Sequence, residues 1–430
     1  MLVVSDKIDG CSLGLTNLCP VSVGSVSINS NVDVPASVAK EIPGIAYEIP
    51  DLDGIAKIWI NDTDGTPLGC VEAFLFNGKT VDQKVVGWVT AIIAGGALLS
   101  SAVASGLGHS NTAAHVACAA VLLFGYFQAV AIAGMVTVRL PPIVAAWTQN
   151  FQWSMGIIKL SFMQTIFTWY IKSTGGTPST LLLQPVGTNV IVEKRSLLPS
   201  LVSRSLEHLR RMHPTTFINF VKRQATASAD TALTLKGIQR VAYRADIEQT
   251  NLFMTGYAFF IVLIVGSALG VLAFKGIIEL SQRMKWMQKD RFYEFRSGWR
   301  TVLKGIMFRL VLVGYTQMSL LCLWELTVRD SIGAVINAIL MFLTMTVLLF
   351  YAAYRVIRLA RRSISLHQTP ASILYSDPAQ LNRWGFLYVQ FRADAYYYIV
   401  PLLVYAVIKG ALIAFMQPVG TAMVFPPPFA

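Results

Sequence analysis

The chain has 430 residues, 54% of them hydrophobic and 13% charged, whereas a soluble domain carries roughly a quarter charged residues. This composition excludes a protein that is water-soluble throughout and divides the chain into an aqueous N-terminal region and a membrane region. Lys and Arg number 35 against 23 Asp and Glu, a net charge of +12, and they cluster between hydrophobic runs, which suits a membrane surface and argues against nucleic acid as a partner.

The first ten residues, MLVVSDKIDG, contain neither a basic nor an apolar leader region, so no signal peptide is visible. If the N-terminal region is lumenal, the natural protein is expected to begin further upstream. Between residues 20 and 80, short β-type runs at Ser22 to Ile28, Gly44 to Ile49, Ile55 to Ile60 and Gly69 to Phe76 alternate with the turn residues Pro50-Asp51, Asp64-Gly65 and Asn77-Gly78. They predict part of an antiparallel β-sandwich. Asn61-Asp62-Thr63 is a glycosylation sequon between two of these runs, where a lumenal surface loop belongs.

Cys11, Cys19 and Cys70 fall in this polar region and Cys118 and Cys322 in apolar runs, so the first three can be oxidised in a lumenal compartment and the last two read as small core residues. Cys11 and Cys19 are expected to bridge across a short turn-rich segment, with a Cys19 to Cys70 bridge as the competing pairing.

Val85 to Leu107 and Val116 to Val138 are uncharged over 23 residues each, and Asn251 to Phe274 and Ser331 to Tyr354 over 24 each. Each is long enough to cross a hydrocarbon core of roughly 30 Å. Two further spans, about Gly305 to Leu326 and Ala395 to Met416, are interrupted by Arg309 and Lys409. The small residues Gly87, Ala91, Gly95, Gly96, Ser100 and Ala104 of the first span predict a face for close helix packing.

Residues 275 to 304 hold eight Lys or Arg and residues 355 to 394 hold six, while 327 to 331 and 417 to 430 hold Arg329 alone. The positive-inside rule makes the first two loops cytosolic and, counting back, the N-terminal region lumenal or extracellular. The stretch Ala145 to Ile171 must then lie on the membrane without crossing it. Its stripe of Trp147, Phe151, Ile158, Phe162, Ile166 and Trp169 opposite Gln149, Gln152, Lys159 and Gln164 reads as one interfacial helix. The eleven Lys or Arg of residues 172 to 250 are unusual for a lumenal segment, but loops of this length largely escape the charge rule.

No nucleotide loop, His-Glu-x-x-His or Cys-x-x-Cys is present, and the five histidines are scattered, so no catalytic or metal site and no bound cofactor is expected. Charges inside spans are the better clues, because each is costly when it faces lipid. Arg309 lies about one turn inside the cytosolic boundary and is expected to snorkel outward. Lys409 lies deeper, and two readings stay open: it pairs with Glu325, or it reaches the lumenal head groups while Glu325 pairs with Arg329 one turn on. Gln128 and Gln317 either bond to neighbouring helices or line a path. Arg355, Arg358, Arg361 and Arg362 extend a span out of the membrane and either fix topology or bind anionic lipid.

Four stretches carry a family resemblance: Ser110 to Met135, Leu140 to Tyr170, Gly237 to Gly256, and Leu366 to Tyr405, the last reading LHQTPASILYSDPAQLNRWGFLYVQFRADAYYYIVPLLVY. They closely resemble the fungal TRP-like membrane proteins, also called flavin carrier proteins. IPGIAYEIPDLDGIAKIWI and CVEAFLFNGKTV look like the last strands of that family's ML-type lipid-recognition β-sandwich.

The resemblance implies an α-helical polytopic membrane protein behind a lumenal β domain, resident in the endoplasmic reticulum or plasma membrane. It implies a channel or carrier linked to FAD entry into the endoplasmic reticulum and to calcium permeation, with FAD as cargo. Membrane lipids, a sterol or phospholipid in the ML-like domain, and other copies of the chain are the expected partners. The alternative is a lipid-binding or scaffolding protein without transport. On this reading residues 1–84 are the end of the ML-like domain, 85–138 two spans, 139–250 a lumenal amphipathic helix and basic loop, 251–416 four spans of a partial TRP-like unit, and 417–430 an unrelated tail. The pore-forming pair of spans is then expected to lie outside this sequence.

Overall fold

The computed structural model describes residues 44–52, 54–61, 67–75, 77–138, 140–183, 235–286 and 292–417. Two compact units divide the chain near Val81. In the first, β1 (Gly54–Asn61) pairs antiparallel with β2 (Pro67–Leu75), setting Ile58 opposite Val71 and Trp59 opposite Cys70, with an irregularity between Ile60 and Asn61. Gly44 to Ile49, expected as a strand, instead contains a helical turn over Ile45–Glu48. The Asn77 amide explains the difference: its Nδ2 donates to Ala46 O at 2.9 Å and Ile49 O at 2.6 Å, taking carbonyls that a strand would offer to a neighbour. Ser22 to Ile28, Cys11 and Cys19 lie outside the described residues.

The second unit contains six helices long and apolar enough to cross a membrane. α1 (Lys84–Gly106) and α2 (Ser110–Ala133) form a hairpin. Ala94, Ser101, Ser105 and Gly106 of α1 and Ala113, Ala114, Ala117 and Ala120 of α2 are all buried. This shifts the expected packing stripe. A Cβ at Gly95 or Gly96 would meet nothing within 4 Å, because these residues lie on the outer surface of α1, whereas Ser101 donates to Ala113 O at 2.7 Å. The expected stripe is split: a Cβ at Gly87 would sit 3.2 Å from Asn150 O, so that member packs closely, while Gly95 and Gly96 do not.

The stretch expected as one interfacial helix is broken. α3 (Pro142–Gln149), a 3-10 turn (Gln152–Met155) and α4 (Ser161–Ser173) share it. Gly156 ends the 3-10 turn at φ 68°, a left-handed conformation that suits glycine. Phe151 therefore turns inward, 4% exposed and stacked on Phe127 at 5.4 Å, while Phe162, Ile166 and Trp169 stay exposed along α4. With 13 residues, α4 is about 20 Å long and too short to cross.

α5 (Gly237–Arg244) leads to α6 (Leu252–Arg283), α7 (Tyr293–Val328), α8 (Ile332–His367), α9 (Ala371–Ser376), α10 (Pro378–Tyr388) and α11 (Ile399–Phe415). Side-chain bonds tie the short helices to one end of the bundle. Gln83 N–H donates to Asn150 Oδ1 at 2.8 Å, Arg240 Nη2 to Gly134 O at 3.1 Å, Gln417 Nε2 to Met135 O at 3.2 Å and Thr174 Oγ1 to Ser331 Oγ at 3.0 Å. α9 and α10 pack at the other end, with Ser105 Oγ donating to Asn382 Oδ1 at 3.0 Å. That end carries Arg296, Arg300 and the four exposed arginines of α8, and is called the basic face below.

α7 is the hub. It packs against α1, α2, α6, α8, α10 and α11, and 78% of its most apolar stretch is buried, against 6% for the helix that contains α6. A polar residue on α7 meets protein, where it can be bonded, and a polar residue on α6 would meet lipid.

Candidate functional site

Three of the polar side chains singled out from the sequence, Arg309, Gln317 and Glu325, lie on α7. Gln317, 4% exposed, donates from Nε2 to Gly256 O on α6 at 3.1 Å. Gln128 on α2 donates to Val313 O on α7 at 2.9 Å and to Ser154 O at 3.3 Å. Both amides therefore bond to neighbouring elements and clamp α2, α6 and the 3-10 turn to the hub. The buried oxygens Gln152 Oε1, Gln164 Oε1 and Asn251 Oδ1 find no donor among the described residues.

Arg309 departs from expectation. It is 4% exposed and points into the bundle, where Nη1 donates to Ser101 Oγ at 2.8 Å and Nη2 to Asn382 O at 3.5 Å, while Nε has no partner. It does not snorkel, because α10 covers it: Gly305, one turn earlier on α7, lies against the Asn382 carbonyl and the Arg383 Cα. No carboxylate pairs with Arg309 among the described residues.

Glu325 is fully buried at the opposite end of α7, sixteen residues on, or roughly 24 Å at 1.5 Å per residue. Of the two readings left open, the pairing with Lys409 is not found among the described residues. Oε1 of Glu325 accepts the Asp330 N–H at 3.2 Å, and Lys409, half-buried on α11, makes no ion pair among the described residues. Nor does Arg329 pair with Glu325, since its Nε donates to Leu326 O at 3.2 Å. Similar depth did not make the two residues face one another.

The partner that sequence reasoning missed is Asp330. The left-handed C-cap at Arg329, φ 59°, folds the chain back so that the Asp330 amide reaches Glu325. Burial pushes the Asp330 carboxyl up, the Glu325 bond opposing the shift. A carboxyl raised in the folded state contributes stability that is full below its unfolded value near 4 and is lost as pH rises through its folded one. Asp330→Asn should therefore gain on the natural chain as pH rises from about 5 to 8. Thermal denaturation across that range checks this, and a difference that does not change with pH rules it out.

Arg355, Arg358, Arg361 and Arg362 are exposed on the last turns of α8. Asn61 ends β1. Among the described residues no group of three or more His, Cys, Asp or Glu could hold a metal ion.

Residues 86–426 match the family described as "Transient receptor potential (TRP) ion channel". The chain belongs to that family. The match runs beyond Met416, where the resemblance was expected to stop, and residues 1–81 match the ML-like domain. Among curated relatives of this TRP-family chain, "Flavin carrier protein 2" of Saccharomyces cerevisiae is 41% identical over 434 residues, covering 98% of this chain and 54% of the relative. "Flavin carrier protein 1" of the same yeast is 39% identical over 97% of the chain and 51% of the relative. A TRP-like ion channel of Schizosaccharomyces pombe is 36% identical over 96% of the chain and 57% of the relative. The chain thus spans about half the length of the curated relatives it matches. No solved structure matches it.

Proposed function

We propose that this chain serves membrane transport as part of a TRP-like channel or carrier, with calcium or FAD as the transported species. One observation carries the reading: the TRP match covers all six long helices, including the hub that buries Arg309, Gln317 and Glu325. Relatives named as flavin carriers and as a TRP-like ion channel support a flavin and an ion as the cargo classes.

The basic face is cytosolic on this reading, by the positive-inside rule. The N-terminal ML-like domain is then a lumenal or extracellular β-sandwich, in the endoplasmic reticulum or plasma membrane, and accepts a sterol or phospholipid. A second reading, a lipid-binding or scaffolding protein without transport, is favoured by the ML-like match.

Proteoliposomes of the purified chain separate the two. Calcium entry or FAD uptake above that of empty vesicles supports transport. Neither flux, with sterol or phospholipid copurifying, supports the lipid-binding reading.

The orientation makes a further prediction at Asn61. Expression in a secretory host should yield a glycosidase-sensitive band that disappears in Asn61→Gln. A protein that is never glycosylated, or a shift that survives the substitution, counts against the lumenal assignment.

A further inference from the structure

Among the described residues Arg309 has a charge and no counter-charge. Removing a guanidinium from water costs several kcal/mol unless an opposite charge or a full set of hydrogen bonds replaces the solvent. Ser101 and the Asn382 carbonyl satisfy two donors, the second at the long distance of 3.5 Å, and Nε is left empty. A second guanidinium donor without a partner belongs to the helix that covers Arg309. Arg383, the residue after Asn382, stacks its guanidinium 4.8 Å from the Trp384 ring centroid, and its Nε is buried without a partner. Gly305 brings the two helices together here, since a Cβ on it would sit 3.7 Å from the Arg383 Cα. No acidic side chain is paired with either arginine among the described residues. The hydroxyls of Ser101 and Ser105 complete the polar surroundings, bonded respectively to Ala113 O and Asn382 Oδ1.

We propose that Arg309 and Arg383 bind a phosphate-class oxyanion between α7 and α10. A tetrahedral oxyanion offers several acceptors to planar guanidinium forks and supplies the charge that the buried cation lacks. A carboxylate from elsewhere in the protein is a poorer fit, because it offers two oxygens to donors on two separate helices. The site lies toward the basic face, where phosphate is available from two sources: a phospholipid head group of that leaflet, or free phosphate in the adjoining solution. The bound anion joins a membrane-spanning helix to a short surface helix, so its release would loosen α10 from the hub.

Thermal unfolding of the purified chain in a phosphate-free maltoside detergent tests this, with two additions: inorganic phosphate, or phosphatidylinositol. Ligand that binds the folded state raises its melting temperature in a concentration-dependent way. The natural chain should respond to at least one addition, and the one that acts identifies the source. Arg309→Gln and Arg383→Gln should each raise the half-maximal concentration at least tenfold, while Lys172→Gln on α4, exposed at the opposite end, should leave it unchanged. Arg383 lies outside the spans, so its variant remains informative if Arg309→Gln fails to fold. The proposal is overturned if neither addition shifts the natural chain, if Arg383→Gln responds like the natural chain, or if Lys172→Gln loses the response equally.

Discussion

Gly305→Leu is expected to detach α10 from the membrane bundle. A Cβ at this position would collide with the Asn382 carbonyl oxygen, a backbone atom that cannot swing aside as a side-chain tip could. Relief requires α7 and α10 to separate, which breaks the Arg309 bonds to Asn382 and Ser101 and the Ser105 bond to Asn382 together. Overpacking alone costs about 1 to 3 kcal/mol, and leaving a buried guanidinium without its acceptors adds about 1 to 3 kcal/mol or more. The variant should therefore melt well below the natural chain, and protease sites in residues 366 to 392 should open first. A melting temperature and digestion pattern like those of the natural chain would show that α7 and α10 do not touch at Gly305. Gly305→Ala should behave in the same direction and less severely, since its single methyl asks for a smaller displacement.

Trp384→Ala should produce a loss of similar size by a different route. Trp384 is 1% exposed and lies in the main core, its ring centroid 4.9 Å from that of Phe308 on α7, with the Arg383 guanidinium on its face. Truncating a buried Trp removes its transfer free energy and leaves a cavity, about 3 to 5 kcal/mol together. The Arg383 guanidinium also loses a cation–π contact of about 0.5 to 2 kcal/mol. Trp384→Phe keeps a ring against Phe308 and should recover part of the loss. If Trp384→Ala melts within a degree of the natural chain, α10 is not held by packing on α7.

The membrane architecture was legible because a span announces itself in one dimension. Uncharged runs such as Val85 to Leu107 and Ser331 to Tyr354 need only be long enough, and each lies within or largely overlaps an observed helix. What the sequence did not reveal is azimuth, the side of each helix that faces a given neighbour. A pairing of Glu325 with Lys409 was one of two readings left open, because depth says nothing about direction, and Glu325 bonds to the chain five residues on instead. Gly95 and Gly96 looked like a packing face, while Ala94, Ser101 and Ser105, displaced around the same helix, are the buried ones.

Arg309 shows the same limit at the site itself. Its nearness to the basic end was readable, but the residues that cover it, Asn382 and Ser101, lie 73 and 208 positions away. A signal was present in Gly305, because a small residue one turn from a charge on an otherwise apolar span marks a close neighbour and not lipid. The broken helix around Gly156 was readable in the same way, since a glycine inside a helical pattern warns of a left-handed residue.

The proposed function rests on the six long helices crossing the membrane with α3 and α4, between α2 and α6, on one side of it. Impermeant thiol labelling of sealed microsomes tests it most directly, with the five natural cysteines replaced by alanine and single cysteines introduced at exposed positions. Asn111 and Ser365 lie at the basic face, and Lys172 and Thr177 lie at the other. Cysteines at Asn111 and Ser365 should react in sealed microsomes, and those at Lys172 and Thr177 only after detergent. Equal labelling at Thr177 and Asn111 in sealed vesicles would mean that the segment containing α4 crosses the membrane, and the six-span account would be wrong.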